Sequence, residues 1–257
     1  MSLIEVKDVS KEYMQEETQF RALDHVSLSM EKGEFTCLLG PSGCGKTTLL
    51  NALAGFESVD SGSILIDGKE VEKPSPEYVT VFQHYGLLPW KSVEKNVMMG
   101  LLAKKWKKRE AAKTAKDYLK LVGLERFKDF RPSQLSGGMQ QRVSIARALA
   151  VKPQILFMDE PFAALDAITR LQMQDDIRRI AEEENITVVF VTHDIEEAVA
   201  LADRIVVMTP NPGKIKTIIP VPFGKHRDRT SDDFLVVRDK VFDAFGMKEE
   251  ERIEYYL

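Results

Sequence analysis

Five residues, Phe35-Thr36-Cys37-Leu38-Leu39, form an apolar run that passes directly into Gly40-Pro41-Ser42-Gly43-Cys44-Gly45-Lys46-Thr47-Thr48. Leu49, Leu50, Leu53 and Ala54 then follow at helical spacing. The order is buried strand, glycine-rich turn, helix start. Gly40, Gly43 and Gly45 permit backbone conformations that a Cβ forbids, so consecutive N–H groups can converge on one anion. Lys46 then reaches β- and γ-phosphate oxygens, Thr47 offers a hydroxyl to Mg²⁺, and Thr48 sits where a helix N-terminus favours negative charge. Gly55 supplies the helix stop. The junction predicts a nucleoside triphosphate with Mg²⁺. It does not by itself separate a kinase, a GTPase and a transport ATPase.

With 257 residues, 44% of them hydrophobic, the chain can bury a full core as one large domain with room for an inserted subdomain. A net charge of −4 with acidic and basic residues interspersed argues against nucleic acid as a partner, since that contact is driven by clustered Lys and Arg. No apolar run approaches the ~18 residues that cross a bilayer. Glu5, Lys7 and Asp8 also interrupt any signal-peptide core, so a membrane role requires a partner protein. Two cysteines make no disulfide framework and suit a reducing cytoplasm. Cys44 lies beside a helix N-terminus, which is expected to acidify its thiol. Alkylation there should block nucleotide binding, with ATP·Mg²⁺ protecting.

Residues 3–9, 26–30 and 64–66 read as short strands separated by turns such as Glu31-Lys32-Gly33 and Asp67-Gly68, an antiparallel section. From Phe35 onward apolar strands alternate with helical patterns, the mark of a mainly parallel sheet flanked by helices. Helices are expected over 93–102, 109–122, 167–184 and 232–245, the last presenting Phe234, Val237, Val241 and Phe245 on one face. Its charged continuation, 248–254, is expected to fray. The basic run 104–109 reads as a solvated helix end or loop.

Several side chains stand out at predicted strand ends. Tyr13 precedes a polar turn, 14–19, and is either an adenine-stacking ring or an ordinary strand-end tyrosine. Gln83 ends the strand 79–82 and faces the crevice where such sheets bind ligands. After it, Leu87-Leu88-Pro89-Trp90 either folds back onto the core or docks another protein. Ser136 is an N-cap with Gly137 and Gly138 leaving amides bare at the start of the helix that follows, a second anion site or a plain capped start. The strand 155–158 delivers Asp159 and Glu160 to the sheet edge. Two adjacent carboxylates require a cation, Asp159 on the metal side and Glu160 free to polarise water. The strand 186–191 ends at Thr192-His193-Asp194, and Asp194 with Glu197 reads as a capping box.

In this order the residues closely resemble the ATP-binding subunit of ABC transporters over nearly the whole chain. The resembling parts are the Walker A run 40–47, the Q-loop Gln83, the signature 135–140, the Walker B strand ending Asp159-Glu160, the D-loop Ala164-Leu165-Asp166 and the switch His193. The resemblance implies a P-loop NTPase core with an N-terminal antiparallel β section and an inserted α-helical subdomain. Residues 1–225 would form the ATP-binding domain, with the helical subdomain at about 87–152, and 226–257 a C-terminal helical extension packed on the body.

It further implies a head-to-tail homodimer that sandwiches two ATP molecules. Ser136, Gly137 and Gly138 of one copy would face the phosphates held by the other, Asp166 would lie at the nucleotide, and Tyr13 becomes the adenine-stacking residue. Lys46, Gln83, Glu160 and His193 carry catalysis, while Thr47, Gln83 and Asp159 hold Mg²⁺. Met139 departs from the usual signature glutamine, so no polar nucleotide contact is assigned to it. Gln83 with 87–90, Pro212-Gly213-Lys214 and His226-Arg227-Asp228-Arg229 resemble the nitrate, sulfonate and taurine importers. That implies a peripheral protein on the cytoplasmic membrane face, an integral permease docking near 83–90, and an extracytoplasmic solute-binding protein. The rivals are a soluble ABC ATPase without transport and a P-loop small-molecule kinase.

Overall fold

The computed structural model describes residues 2–15, 18–224 and 227–246. Its elements in chain order are β1 (Ser2–Gln15), β2 (Thr18–Glu31), β3 (Phe35–Leu39), α1 (Lys46–Leu53), β4 (Ser61–Ile66), β5 (Lys69–Glu70) and β6 (Tyr78–Val81). Then follow α2 (Val93–Ala103), α3 (Lys108–Leu121), α4 (Gly137–Ala150), β7 (Ile155–Asp159), α5 (Ala167–Glu183), β8 (Thr187–Thr192), α6 (Ile195–Leu201), β9 (Arg204–Thr209), β10 (Lys214–Pro220) and α7 (Asp232–Phe245).

The main sheet runs β10-β9-β3-β8-β7-β6, parallel throughout except for β10, which pairs antiparallel with β9. Every residue of β3, β7 and β8 is buried, as a parallel sheet covered on both faces requires. Side chains alternate between two cores. Phe35, Cys37, Leu39, Leu156, Met158, Val188 and Phe190 face the helical layer. Leu38, Phe157, Val189, Val191 and Val206 face α1 and the N-terminal sheet. Phe190 anchors the helical side, with ring centroids 6.0 Å from Phe35 and 5.5 Å from Phe162.

The second sheet, β2-β1-β4-β5, is antiparallel, as expected, but its strands are far longer than their apolar runs. β1 and β2 have 14 residues each, and the expected polar turn is instead a ladder: Tyr13 opposes Phe20, Met14 opposes Gln19 and Gln15 opposes Thr18. Glu16 and Glu17 lie outside the described residues. The extension is held by backbone pairing and cross-strand polar contacts, Arg21 Nη2 to Glu12 Oε1 at 2.7 Å among them, so it leaves no apolar periodicity to read. Asp8 and His25, at φ 54° and 52°, face each other where the register shifts, Nδ1 to Oδ1 at 2.8 Å.

α2, α3 and α4 pack on one another and enter the chain between β6 and β7. Asn96, fully buried on α2, donates to the carbonyls of Leu88, Lys91 and Ser92 at 3.0–3.3 Å and accepts from Leu88 N at 2.8 Å. That fixes the 88–92 loop. The two readings of 87–90 therefore divide by residue: Leu87 packs against the core, while Trp90 is 69% exposed. The basic run 104–109 is exposed throughout, in keeping with a solvated end.

At the C-terminal side, Ser231 Oγ caps α7 by accepting from Phe234 N. The α7 face Phe234, Val237 and Val241 is buried against α6, β9 and β10. Phe223 stacks on Phe234 with centroids 6.2 Å apart. His226 and the charged run 248–254 lie outside the described residues.

The expected capping box at α6 is only half formed. Asp194 Oδ1 accepts from Glu197 N at 3.1 Å, but Asp194 N donates to Thr192 Oγ1 at 3.0 Å. Glu197 is turned inward to Thr192 and Gln174, because its helix packs that face against α5.

Candidate functional site

Strand register sets the site. Leu39 lies opposite Thr192, Asp159 opposite Val191, and Val81 opposite Met158. The C-terminal ends of β3, β8, β7 and β6 therefore form one row, and the glycine-rich turn, His193, Asp159-Glu160 and Gln83 all emerge along it. This is the edge at which open α/β sheets bind ligands.

The turn enters α1 through Gly45, its N-cap, at φ 88°. A Cβ there would stand 2.6 Å from Ala22 O, so glycine is required both by φ and by space. Lys46 is buried, and its Nζ donates to Gly40 O at 2.7 Å and Pro41 O at 2.9 Å. Its third contact is only the Cys44 Sγ at 3.8 Å. An ammonium with three donors so placed can exchange that weak acceptor for a phosphate oxygen.

Cys44 does not behave as its position beside a helix start predicts. Gly43 and Gly45 on either side, at φ 78° and 88°, accompany a fully buried Cys44 side chain. Burial pushes the thiol above its ordinary value, and the nearby Lys46 only partly opposes this. The acidified-thiol expectation is thus corrected: in the phosphate turn Cys44 contributes backbone, not a reactive sulfur.

Asp159 is buried, and burial, aided by the neighbouring Glu160 charge, raises its carboxyl above the ordinary range against the pull of Thr47 and Lys46. A carboxylate so placed favours a cation beside it. Thr47 Oγ1 donates to Asp159 Oδ1 at 3.2 Å, close to the about 3 Å edge between neighbouring oxygens on an octahedral Mg²⁺ with ~2.1 Å bonds. Among the described residues no three His, Cys, Asp or Glu side chains cluster as a metal cage. Magnesium characteristically takes few protein oxygens and fills the rest with phosphate and water, so this donor set fits it.

Glu160 follows in a left-handed conformation, φ 43°, a strained setting for a side chain of its size. Its N donates to Val191 O at 3.1 Å, and its Oε1 lies 3.1 Å from His193 Nδ1. With the carboxylate ionised, Nδ1 carries the proton and donates, which leaves Nε2 turned away from Glu160.

A cleft of about 370 Å³ gathers Ser42, Gly43, Gly45, Lys46, Thr47 and Thr48 on one wall and Gln83, Asp159 and Glu160 on the other. Tyr13, Phe20 and Ala22 also line it. Phe20 and Ala22 were not legible in the sequence. Phe20 is the cross-strand partner of Tyr13, and its seven-residue spacing about a polar tip was the available signal. Lys11 Nζ sits 5.3 Å from the Tyr13 ring centroid and is held by Glu57 at 3.0 Å, a cation–π contact that fixes the ring.

His193 joins a smaller adjoining cleft that shares Glu160. Gly40, Pro41 and Cys44 belong to the turn without lining the main cleft. Ser136, Gly137, Gly138 and Asp166 also lie outside that lining. Ser136 Oγ caps α4 by accepting from Met139 N. A Cβ on Gly137 would meet the Tyr85 hydroxyl at 2.6 Å, and one on Gly138 would meet Ala164 O at 2.8 Å. Asp166 caps α5 by accepting from Thr169 N at 3.0 Å, a bond that lowers its carboxyl pKa.

A family model described as ABC transporter matches residues 23–163. An uncharacterized ABC transporter ATP-binding protein of Methanocaldococcus jannaschii is 49% identical over 238 residues, 93% of this chain and 89% of that one. The bicarbonate transport ATP-binding protein CmpD of Synechocystis is 46% identical, covering 89% of this chain and 82% of that one. The nitrate import ATP-binding protein NrtD of Synechococcus elongatus is 46% identical, covering 81% and 77%. Among solved structures, a dimeric ATP-binding cassette in a post-hydrolysis state with ADP and Pi superposes with a TM-score of 0.78 at 34% identity, covering 86% of this chain and all of that one.

Proposed function

The chain belongs to the ABC transporter ATP-binding family, as an ATP-binding and ATP-hydrolysing cassette, and from that premise we propose that it powers import of a small solute through a separate membrane permease. The observation that carries the chemistry is the row of strand ends, from which the phosphate turn, Asp159, Glu160, His193 and Gln83 emerge along one sheet edge. The cargo class follows the relatives, one named for nitrate import and one for bicarbonate transport. A small anion of the nitrate, bicarbonate or sulfonate kind is therefore the proposed solute. The rival readings, a transport-free ABC ATPase and a small-molecule kinase, lose support because these relatives are named as transport proteins.

In this proposal Tyr13 and Phe20 take the adenine. The amides at 43–48 and the Lys46 ammonium grip the β- and γ-phosphates. Thr47 and Asp159, with Gln83, would hold Mg²⁺, which when bound neutralises charge on the phosphoryl group. Glu160 accepts a proton from the attacking water, and His193, in the imidazolium form that donation to an anion requires, keeps Nδ1–H on Glu160 and donates Nε2–H to the γ-phosphate. Ser136 and Gly138 act across a head-to-tail homodimer on the twin's nucleotide, which agrees with their lying outside the chain's own cleft.

Gln83 and the exposed Trp90 supply the permease contact, and an extracytoplasmic binding protein delivers the solute. No helix among the described residues is long and apolar enough to cross a membrane. The proposed transport role puts the chain on the cytoplasmic membrane face, held by its permease. Residues 1–225 are read as the ATP-binding domain, with the helical part at 87–152, and the chain after it as an extension, of which α7 packs on α6, β9 and β10.

The test is purification of the tagged chain from detergent-solubilised membranes, followed by ATPase assay of the complex in vesicles. Co-purification of a multi-span protein and a turnover that rises with a loaded solute-binding protein are expected. An ATPase that purifies free of any integral protein and ignores such a partner overturns the transport reading.

A further inference from the structure

Phosphoryl transfer as proposed leaves Arg227, Asp228 and Arg229 without a task. Arg227 Nη1 donates to Val199 O and Ala202 O at 2.9 and 2.6 Å, which ties the segment before α7 to α6. Arg229 does something different. Its Nη2 donates to Gln174 Oε1 at 2.7 Å, and Gln174 is only 1% exposed on α5. Gln174 Nε2 in turn donates to Glu197 Oε1 at 3.1 Å. The other Glu197 oxygen accepts from Thr192 Oγ1 at 2.7 Å, and Thr192 Oγ1 accepts from Asp194 N at 3.0 Å. His193 is the residue between those last two.

We infer that Arg229 is a positioning residue for His193, acting through a continuous hydrogen-bond chain that runs Arg229, Gln174, Glu197, Thr192 and the amide of Asp194. The inference rests on the proposed role of His193. Its logic is directional. An amide side chain has one acceptor end and one donor end. Because a guanidinium has no acceptor, Arg229 dictates that Oε1 faces it and that Nε2 faces Glu197. The Glu197 carboxylate is acceptor-only when ionised, so Thr192 must give it the hydroxyl proton and keep its lone pairs for Asp194 N. Every bond in the chain then has one allowed sense, and the turn that carries His193 is held in one orientation. With Arg229 removed, Gln174 still directs Nε2 to the acceptor-only Glu197, but its buried Oε1 is left unpaired, and relief of that unpaired acceptor slackens the chain that holds the turn.

The experiment uses the full chain. It contains four histidines, His25, His84, His193 and His226, so imidazole ¹H–¹⁵N correlations resolve His193 individually. Arg229→Ala is expected to move the His193 cross-peaks and leave those of His25 in place. It should also lower kcat about tenfold while KM for ATP changes less than about twofold, the split expected of a misplaced transition-state group. Asp175→Ala, which removes the other Arg229 partner, 3.5 Å away and well exposed, should alter neither readout. Should Arg229→Ala not fold, Arg229→Lys, which keeps a donor but not the planar fork, should show the same displacement in smaller degree. His193 cross-peaks that superpose on those of the unmodified chain in these variants overturn the inference, whatever the rates do. A wild-type turnover in His193→Ala would instead sink the catalytic role of His193, and the cross-peak test of the chain would stand apart from it.

Discussion

His193 Nδ1 and Glu160 Oε1 stand 3.1 Å apart, although 33 residues separate them in the chain. The contact exists because β7 and β8 are adjacent and in register, Asp159 opposite Val191. It orients the imidazole and gives the Glu160 carboxylate a hydrogen-bond donor.

Glu160→Gln should retain ATP binding and lose turnover by about 10²–10⁴-fold, the span of a lost general base. On a sizing column the ATP-loaded variant should run as a dimer. Near-normal steady-state hydrolysis would exclude Glu160 as the base, and a strictly monomeric species beside its membrane partner would sink the composite site.

Lys46→Ala should weaken ATP binding by about 10–100-fold, because it removes charge-assisted hydrogen bonds to phosphate. Tyr13→Ala should weaken it about tenfold and discriminate less against other bases, while Tyr13→Phe keeps the stacking ring and most of the affinity. Fluorescent-nucleotide titration distinguishes the two. Equal losses from Tyr13→Phe and Tyr13→Ala would argue against a stacking role.

Burial raises the Asp159 carboxyl above its unfolded value. Between the ordinary carboxylate value and the raised one the folded chain therefore binds more protons than the unfolded chain. Stability contributed by this group falls as pH rises through that window, and the penalty is fully present above the raised value. Asp159→Asn should accordingly melt higher than the native chain at pH 7 without ligand. The gain should vanish below the ordinary carboxylate value. With ATP and Mg²⁺ the order should reverse. Scanning calorimetry at three pH values checks the sign.

The Cys44 thiol should resist alkylation in the native chain, since its side chain is fully buried. Mass spectrometry after iodoacetamide treatment should find Cys37 and Cys44 unmodified in buffer and both modified in denaturant. Rapid native labelling of Cys44 with loss of ATP binding would restore the acidified-thiol expectation.

From Phe35 onward the fold was legible because each buried strand is a short apolar run, and the two caps the sequence predicts, Ser136 and Asp194, both accept a backbone N–H; Asp166 and Ser231 cap α5 and α7 in the same way without having been foreseen. The β1–β2 hairpin was not, because residues 13–14 and 19–21 are all exposed, and pairing alone extends the ladder. Phe20 was missed for the same reason. The direction of the Cys44 side chain depends on the two positive-φ glycines beside it, which a one-dimensional reading of helix polarity ignores. Gln174, Glu197 and Arg229 are ordinary polar residues in sequence and acquire meaning only when α5, α6 and the segment before α7 meet.

The ladder that lines up β3, β8, β7 and β6 makes the protein far less forgiving of insertions in some places than in others. Removing one residue from within β7 would withdraw Asp159 by about 3.3 Å and point its neighbour's carboxylate to the opposite side of the sheet. The same deletion in the exposed run 104–107 changes no spacing among the reactive groups. Length variation introduced by an engineer belongs in such a stretch, with the four aligned strands left at their native count.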